Sequence, residues 1–237
     1  MDELTKLADE YFEIAVSDRQ AKQFGIYARL LKEYNQKYNL TAITDPQEII
    51  IKHFLDSLSC LLVIQDLSPR SLIDIGTGAG FPGIPIKIMI PEMSLTLVES
   101  VGKKTDFCSL VINELNLDGC AILQSRAEDV GKFSEHREKY DWAVARAVAE
   151  LPVLIEYLLP LVRIGGYALA MKGITIADEL SAAQKGIQML GGEIEKIQDV
   201  ILPKNAGERS LIVISKKNQS PPKYPRRAGQ PSKRPLK

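Results

Sequence analysis

The chain reads as an α/β protein with a mostly parallel seven-stranded sheet, helices on both faces, and a helical extension in front. Three observations predict this. From Ser71 onward, short apolar runs alternate with stretches of helical period, the pattern of parallel strands joined by crossover helices. Ahead of Ser71 the apolar residues recur at helical spacing instead. Between the first run and the first helix, "IDIGTGAGFPG" (Ile73–Gly83) places a glycine-rich loop where open α/β sheets bind ligands.

Taken in order, helices are predicted near 2–16 and 19–37. Ser17 followed by Gln20 has the spacing of a capping box, and Phe24, Tyr27, Leu31 and Tyr34 share one helical face. After the turn "YNLTAITDP", Asp45, Pro46 and Glu48 suit the N-cap, N1 and N3 positions of a helix running to about Leu62. On it, His53, Asp56, Ser57 and Cys60 form a polar stripe opposite Leu55, Leu58 and Leu62. Strands are predicted at 71–75, 94–98, 120–124, 141–145, 167–171, 194–199 and 210–215, with helices near 83–89, 103–116, 149–162 and 176–190 and a shorter connection after the third strand. Only "PKNAGERS" joins the last two strands, so they pair antiparallel. No internal repeat is visible.

The composition, 45% apolar and 25% charged, is that of a soluble, core-forming chain. No apolar run approaches the roughly 18 residues that span a membrane, and the acidic, amphipathic "MDELTKLADEY" is no signal peptide. Cys60, Cys108 and Cys120 are odd in number and lack CxxC spacing, which reads as reduced thiols in a cytoplasmic protein. With His53 and His136 the only histidines, no metal site is predicted. The formal net charge is zero, yet Lys216–Lys237 holds eight basic residues and no acid. The chain therefore divides into a helical extension (1–66), a net-acidic core (67–216) and a basic, proline-rich tail (217–237). The tail has little to bury and is predicted disordered, either as a solubilising end or as a phosphate-binding arm.

Topology puts the functional candidates at the carboxyl ends of the strands: Gly76–Gly80, Glu99–Ser100, Ser125–Glu128, Arg146 and Lys172–Gly173. Gly78, Gly80 and Gly83 satisfy GxGxxG, a weak dinucleotide signal. Three details oppose it: the register begins earlier, at Gly76; Pro82 removes a donor near the helix start; and Asp74 would repel a phosphate. An acid two residues before the first glycine suits a cationic ligand, and S-adenosylmethionine carries a sulfonium and an ammonium but no phosphate. Gly76, Gly78 and Gly80 would let its methionine part approach the backbone. Glu99 would accept the ribose hydroxyls, and Ala127 N–H with the Glu128 carboxylate would read adenine. A ribose carboxylate alone serves NAD equally well.

The motifs "YNLTAITDP", "KHFLDSL", "IDIGTGAGFPGIPIKI", "SRAED", "ARAVAEL", "MKG" and "GERSLIVISKK" resemble those of the 16S ribosomal RNA guanine-N7 methyltransferases, also called the glucose-inhibited division protein B family. The resemblance covers nearly the whole chain, and "KYPRRAGQPSKRP" resembles the tail of one branch. It implies a Rossmann-like, class I S-adenosylmethionine-dependent methyltransferase fold. The implied substrate is 16S ribosomal RNA or a small-subunit precursor, at guanine 527 in the 530 loop; a monomer without membrane association is expected. By position, Gly76, Phe81, Ala127, Glu128 and Arg146 would contact the cofactor. Glu99 stands where members often carry Asp, and either can hold a ribose.

The chemistry agrees. Cytosine C5 methylation needs a cysteine nucleophile next to Pro or Thr, and none is so placed. Exocyclic-amine methylation uses an Asn/Asp/Ser-Pro-Pro-aromatic motif after the fourth strand, where this chain has "AVARAVAE". Guanine N7 carries a lone pair and no proton, so alignment and exclusion of water suffice. Arg146 and Lys172, as strand-end cations, either pair with Glu99, Glu128 or Glu150 or hold phosphate and guanine O6. Lys52 and His53 would cover the cleft; Arg146, Lys172 and His53 are the catalytic candidates, although a lone helical histidine is more often structural, bonded to a group such as Asp56. RNA-contacting candidates are Lys52, His53, Arg146, Lys172 and Arg209, with Lys223, Arg226 and Arg227 in the tail. The rival readings are a small-molecule or protein methyltransferase, an NAD-dependent oxidoreductase and a non-enzymatic RNA-binding module. The basic tail, the pair Asp74 and Pro82, and the complete cofactor pocket respectively oppose them.

Overall fold

The computed structural model describes residues 1–64 and 70–236. Its strands are β1 (Ser71–Ile75), β2 (Ser94–Glu99), β3 (Cys120–Gln124), β4 (Tyr140–Arg146), β5 (Val162–Lys172), β6 (Gly192–Ile201) and β7 (Glu208–Lys216). They form one sheet in the order β3-β2-β1-β4-β5-β7-β6. β1 to β5 pair in parallel, and β7 runs antiparallel between β5 and β6. In the parallel part the registers align strand ends: Ile75 lies beside Val98, Glu99 beside Gln124, and Arg146 beside Met171. One edge of the sheet therefore gathers all the carboxyl-end residues that the sequence singles out.

The helices are α1 (Asp2–Phe12), α2 (Asp18–Tyr38), α3 (Pro46–Glu48), α4 (Asp56–Leu58), α5 (Leu61–Ile64), α6 (Gly83–Met89), α7 (Gly102–Glu114), α8 (Ala127–Val130), α9 (Leu151–Leu158), α10 (Ala177–Met189) and α11 (Gln230–Lys233). Because side chains alternate across a strand, the sheet feeds two cores. Leu72, Trp142, Val144, Leu169 and Met171 pack with residues of α1, α2, α6 and α7. Ile73, Ile75, Ala143, Ala145, Ala168 and Ala170 pack with α9 and α10. Strands buried on both faces need apolar residues at every position, which is why they read as runs rather than as alternation. No helix among the described residues is long and apolar enough to cross a membrane.

Local differences from the sequence reading have physical causes. α1 stops at Phe12 because Glu13 turns left-handed, at φ 55°. The predicted boundary between residues 66 and 67 falls outside the described residues, while Phe24 and Phe54 of the extension share a core with Phe81 of the glycine loop. β5 begins at Val162, consuming the end of the helix predicted over 149–162. The helix predicted from Pro46 to Leu62 is not uniform. Asp45 caps α3 through Gln47 N–H and Glu48 N–H, both at 2.9 Å. Residues Ile49–Leu55 then widen into a π-helix before α4. That widening turns His53, Asp56 and Ser57 inward, so the polar stripe is buried.

The predicted disorder of the tail is corrected. Residues 217–236 run as an ordered strap over the α9 face. Arg137 donates to the carbonyls of Ser220 (2.7 Å), Pro221 (3.2 Å) and Tyr224 (2.6 Å). Arg226 forms a two-pronged pair with Glu156, which is 0% exposed. Composition underestimates the strap because Arg137 gathers its carbonyls and the buried Glu156 answers Arg226.

Candidate active site

Two cavities open at the carboxyl edge of the sheet, and Gly76 lines both. The first, about 510 Å³, is bordered by Val98, Glu99, Ala127, Glu128, Val148 and Tyr157, with Ala228, Gly229 and Ser232 from the strap. The second, about 550 Å³, is bordered by Thr41, Lys52, His53, Asp56, Gly78, Phe81, Lys104, Arg146, Lys172 and Arg209. Carboxylates mark the first chamber and cations the second.

The glycine loop between β1 and α6 is braced from beneath. Asp74 Oδ2 accepts from Thr77 Oγ1 at 2.6 Å and from Gly83 N–H at 2.8 Å. Its Oδ1 is buried without a partner, and burial raises the carboxyl to about 6. From the other side, Tyr27 Oη of α2 donates to the carbonyl of Ala79. A Cβ at Gly80 would lie 2.6 Å from that hydroxyl, so only glycine admits the contact. Gly78 has φ +62° and would direct a Cβ into empty space. Its side of the loop is a cradle kept open by the lack of a side chain. Gly78 N–H donates to Glu99 Oε2 at 3.1 Å, while Glu99 Oε1 accepts from Ser100 and Val101 N–H at 2.7 and 2.9 Å. Three backbone donors thus fix this carboxylate at the cavity wall.

The second chamber is organised around Arg146. Its Nη1 donates to Asp56 Oδ2 at 2.8 Å and to the carbonyls of Lys52 and His53 at 3.3 and 3.4 Å. A π-turn widens the helical ladder around these carbonyls, and the guanidinium serves them. Arg209 Nε holds Asp56 Oδ1 at 3.0 Å. His53 lies flat on Phe81, with ring centres 4.6 Å apart, and Phe81 stacks in turn on Tyr27 at 5.2 Å. His53 Nε2 is 2.8 Å from Thr41 Oγ1, and its Nδ1 faces Arg146 Nη2 at 3.5 Å. Arginine can only donate, so Nδ1 accepts and the proton sits on Nε2. Burial, reinforced by Arg146, lowers the imidazole to about 3. His53 is therefore neutral and weakly basic. Lys172 donates to Glu179 at 2.9 Å and to the carbonyl of Ala149 at 3.0 Å.

The sequence profile of the family "rRNA small subunit methyltransferase G" matches residues 20–211. The chain belongs to this family. Proteins named "Ribosomal RNA small subunit methyltransferase G" from Acetivibrio thermocellus and Roseiflexus castenholzii are 49% and 48% identical to it, covering 95% and 100% of this chain and 92% and 100% of their own. Among solved structures, the O-methyltransferase from Bacillus cereus in complex with SAH superposes with a TM-score of 0.61 at 16% identity, over 91% of this chain and 97% of that one. That likeness shows a methyltransferase-type Rossmann-like fold.

Within this family frame, the structure brings Gly76, Gly78, Phe81, Glu99, Ala127, Glu128 and Arg146 to the two chambers, with Gly80 packed behind them against Tyr27. Lys52 and His53 join them from the π-helix, and Lys172 and Arg209 from the ends of β5 and β7. Asp74 is corrected: it is 0% exposed and ties the loop rather than facing a ligand. Arg226 is also corrected, since Glu156 occupies it, whereas Lys223 and Arg227 are exposed. His53 meets Thr41 and Arg146, not Asp56, and the strand-end cations pair with Asp56 and Glu179 rather than with Glu99, Glu128 or Glu150. Sequence reasoning misses Tyr157 and the strap residues Gly229 and Ser232, and it places Tyr27 only as a core aromatic. The helical spacing of Tyr27 signals burial, but no pattern signals its hydroxyl.

Proposed function

We propose that this chain transfers the methyl group of S-adenosylmethionine to N7 of a guanine in 16S ribosomal RNA, with guanine 527 of the 530 loop the position that the family resemblance indicates. The observation that carries the reading is the pair of chambers meeting at Gly76, one fitted for a nucleoside and the other lined by cations without a near-neutral base. S-adenosylmethionine supplies an electrophilic methyl group on a positively charged sulfur. Glu99, with its three backbone donors, would hold the ribose. Ala127 N–H and Glu128 would meet the adenine, and the open cradle at Gly78 would take the methionine part. This fit rests on the space that a Cβ at Gly78 would fill.

In the second chamber, Lys52, Lys104, Lys172 and Arg209 supply positive charge for phosphates, and His53, backed by Phe81, supplies an aromatic edge to the wall. Arg146 sits over Phe81 at 5.2 Å and sets the position of the helix above it. Guanine N7 loses no proton on methylation. A site whose only histidine is held unprotonated and weakly basic suits that acceptor, and the task left to the protein is alignment. Exocyclic amines would need a proton acceptor that the chamber does not provide among the described residues.

The test is 16S ribosomal RNA from cells with and without this protein, cleaved chemically at N7-methylguanine and read by primer extension. Loss of one stop in the 530 loop, restored by the purified protein and S-adenosylmethionine, is expected. An unchanged pattern refutes the assignment.

A further inference from the structure

The strap reaches the first chamber only after being fastened at three places. Lys216, 1% exposed, donates to the carbonyl of Leu159 at 2.6 Å and to Ser220. Arg137 collects three strap carbonyls, and Arg226 is gripped by Glu156 through both side chain and backbone, the latter at 2.7 Å. Between these anchors Pro225 lies so close to Gly131 that a Cβ there would sit 2.7 Å from Pro225 Cγ. A merely solubilising end has no use for such fixtures. Beyond the last anchor the strap turns to Glu128. Gly229 N–H donates to Glu128 Oε1 at 2.9 Å. Tyr157 Oη donates to the same oxygen at 3.4 Å and lies 3.3 Å from Ser232 Oγ. All four residues border the first chamber, with Glu128 5% exposed beneath the strap.

We propose that the C-terminal strap is a working wall of the nucleoside chamber, and that Gly229 and Ser232 are positioning residues that set the specificity of Glu128 for adenine. This rests on S-adenosylmethionine being the cofactor. Both strap contacts engage Oε1, one directly and one through Tyr157, which orients Oε2 for a donor in the chamber. A carboxylate oxygen accepts from the exocyclic amine of adenine and repels the carbonyl that hypoxanthine carries at the same place. Without the strap, Glu128 loses a backbone donor and its buried setting, and it turns toward water.

Truncation after Arg227 keeps the Lys216, Arg137 and Arg226 anchors and removes Gly229 and Ser232. The probes are S-adenosylhomocysteine and S-inosylhomocysteine, titrated by calorimetry into the intact chain, the truncated chain and Ser232→Ala. The intact chain should prefer the adenine compound by about 10-fold or more, the worth of one hydrogen bond to a charged group. The truncated chain should lose about 10-fold in affinity for it and retain a preference below about 3-fold, with Ser232→Ala in between. A truncated chain, folded by near-ultraviolet circular dichroism, with affinity and preference unchanged overturns the proposal. So does a fall in affinity with the preference intact, which is what lost packing alone produces. If the truncation does not fold, Ser232→Ala decides, and an unchanged preference there refutes the role. An intact chain that bound neither compound would overturn the cofactor assignment itself and this proposal with it.

Discussion

Arg146→Ala should destabilise the protein by about 3 kcal/mol, for a reason visible in its partners. The side chain is 14% exposed and that of Asp56 is 3% exposed. Removing one member of such a buried pair typically costs about 3–5 kcal/mol, because the other charge is stranded. Asp56 keeps Arg209 Nε at 3.0 Å, which places the cost at the lower end. The carbonyls of Lys52 and His53 also lose a donor, but water entering the vacated space offsets part of that. For a chain of this size, about 3 kcal/mol corresponds to a fall in Tm of about 6–12 °C. Urea unfolding followed by fluorescence and by far-ultraviolet circular dichroism measures it. The decisive comparison is the same replacement in an Asp56→Asn background, where removing Arg146 strands no carboxylate and the cost should drop to about 1 kcal/mol or less. Equal costs in both backgrounds, or a cost below about 1 kcal/mol in the native background, would refute the electrostatic account of this node. Arg146→Lys should fall between the native chain and Arg146→Ala, since a point charge keeps the pair with Asp56 but loses the planar guanidinium's place over Phe81.

Gly78→Val should cost the apo fold only about 1–2 kcal/mol of left-handed strain, since no atom stands within 4 Å of the added Cβ. Affinity for S-adenosylhomocysteine should fall by about 100-fold or more, and native affinity would dismiss the cradle. Single-turnover methylation at saturating substrates should be level from about pH 6 to 9, because His53 is held near 3. His53→Ala should then slow the step by less than the ~100-fold typical of a lost general base; a steep rise that disappears in that variant would make His53 a base and count against N7. Stability against pH carries two opposed contributions. The His53 contribution is complete above about 6.5 and is lost as the pH falls toward 3. The Asp74 contribution is complete below 3.8 and is lost as the pH rises through 6. Between pH 4 and 6 they oppose each other, so Asp74→Asn should lose stability on acidification more steeply than the native chain, by up to about 1.4 kcal/mol per pH unit. Parallel curves would show that one of the two groups does not titrate as its surroundings imply.

The parallel sheet is readable because burial on both faces leaves a strand little freedom of composition. β1, β3 and α6 begin and end at the residues that the apolar runs and glycines indicate. The clustering of the candidate residues is readable to the same degree, since strand ends are fixed once strands are. What escapes depends on partners distant in sequence. The π-turn at Ile49–Leu55 has no residue signature and is matched to Arg146, a strand residue. Asp74 is misjudged because a carboxylate at a strand end looks alike whether it faces a ligand or ties its own loop. The tail is misjudged because proline and positive charge favour disorder only in a segment that nothing holds, and here Glu156 pairs with Arg226 while Arg137 donates to the strap's carbonyls.

The stack of Tyr27, Phe81 and His53 carries a consequence for inheritance. One ring comes from a helix of the extension, one from the glycine loop and one from the π-turn, and each of the outer two covers a face of Phe81. A graft of this loop into another Rossmann-like scaffold would leave Phe81 bare on both sides, and a transplanted extension would arrive with two rings and nothing to clasp. Recombination that separates the first third of the chain from the sheet is thus penalised even where every strand still pairs. The extension and the loop pack as one unit, and chimaeras should be cut outside both.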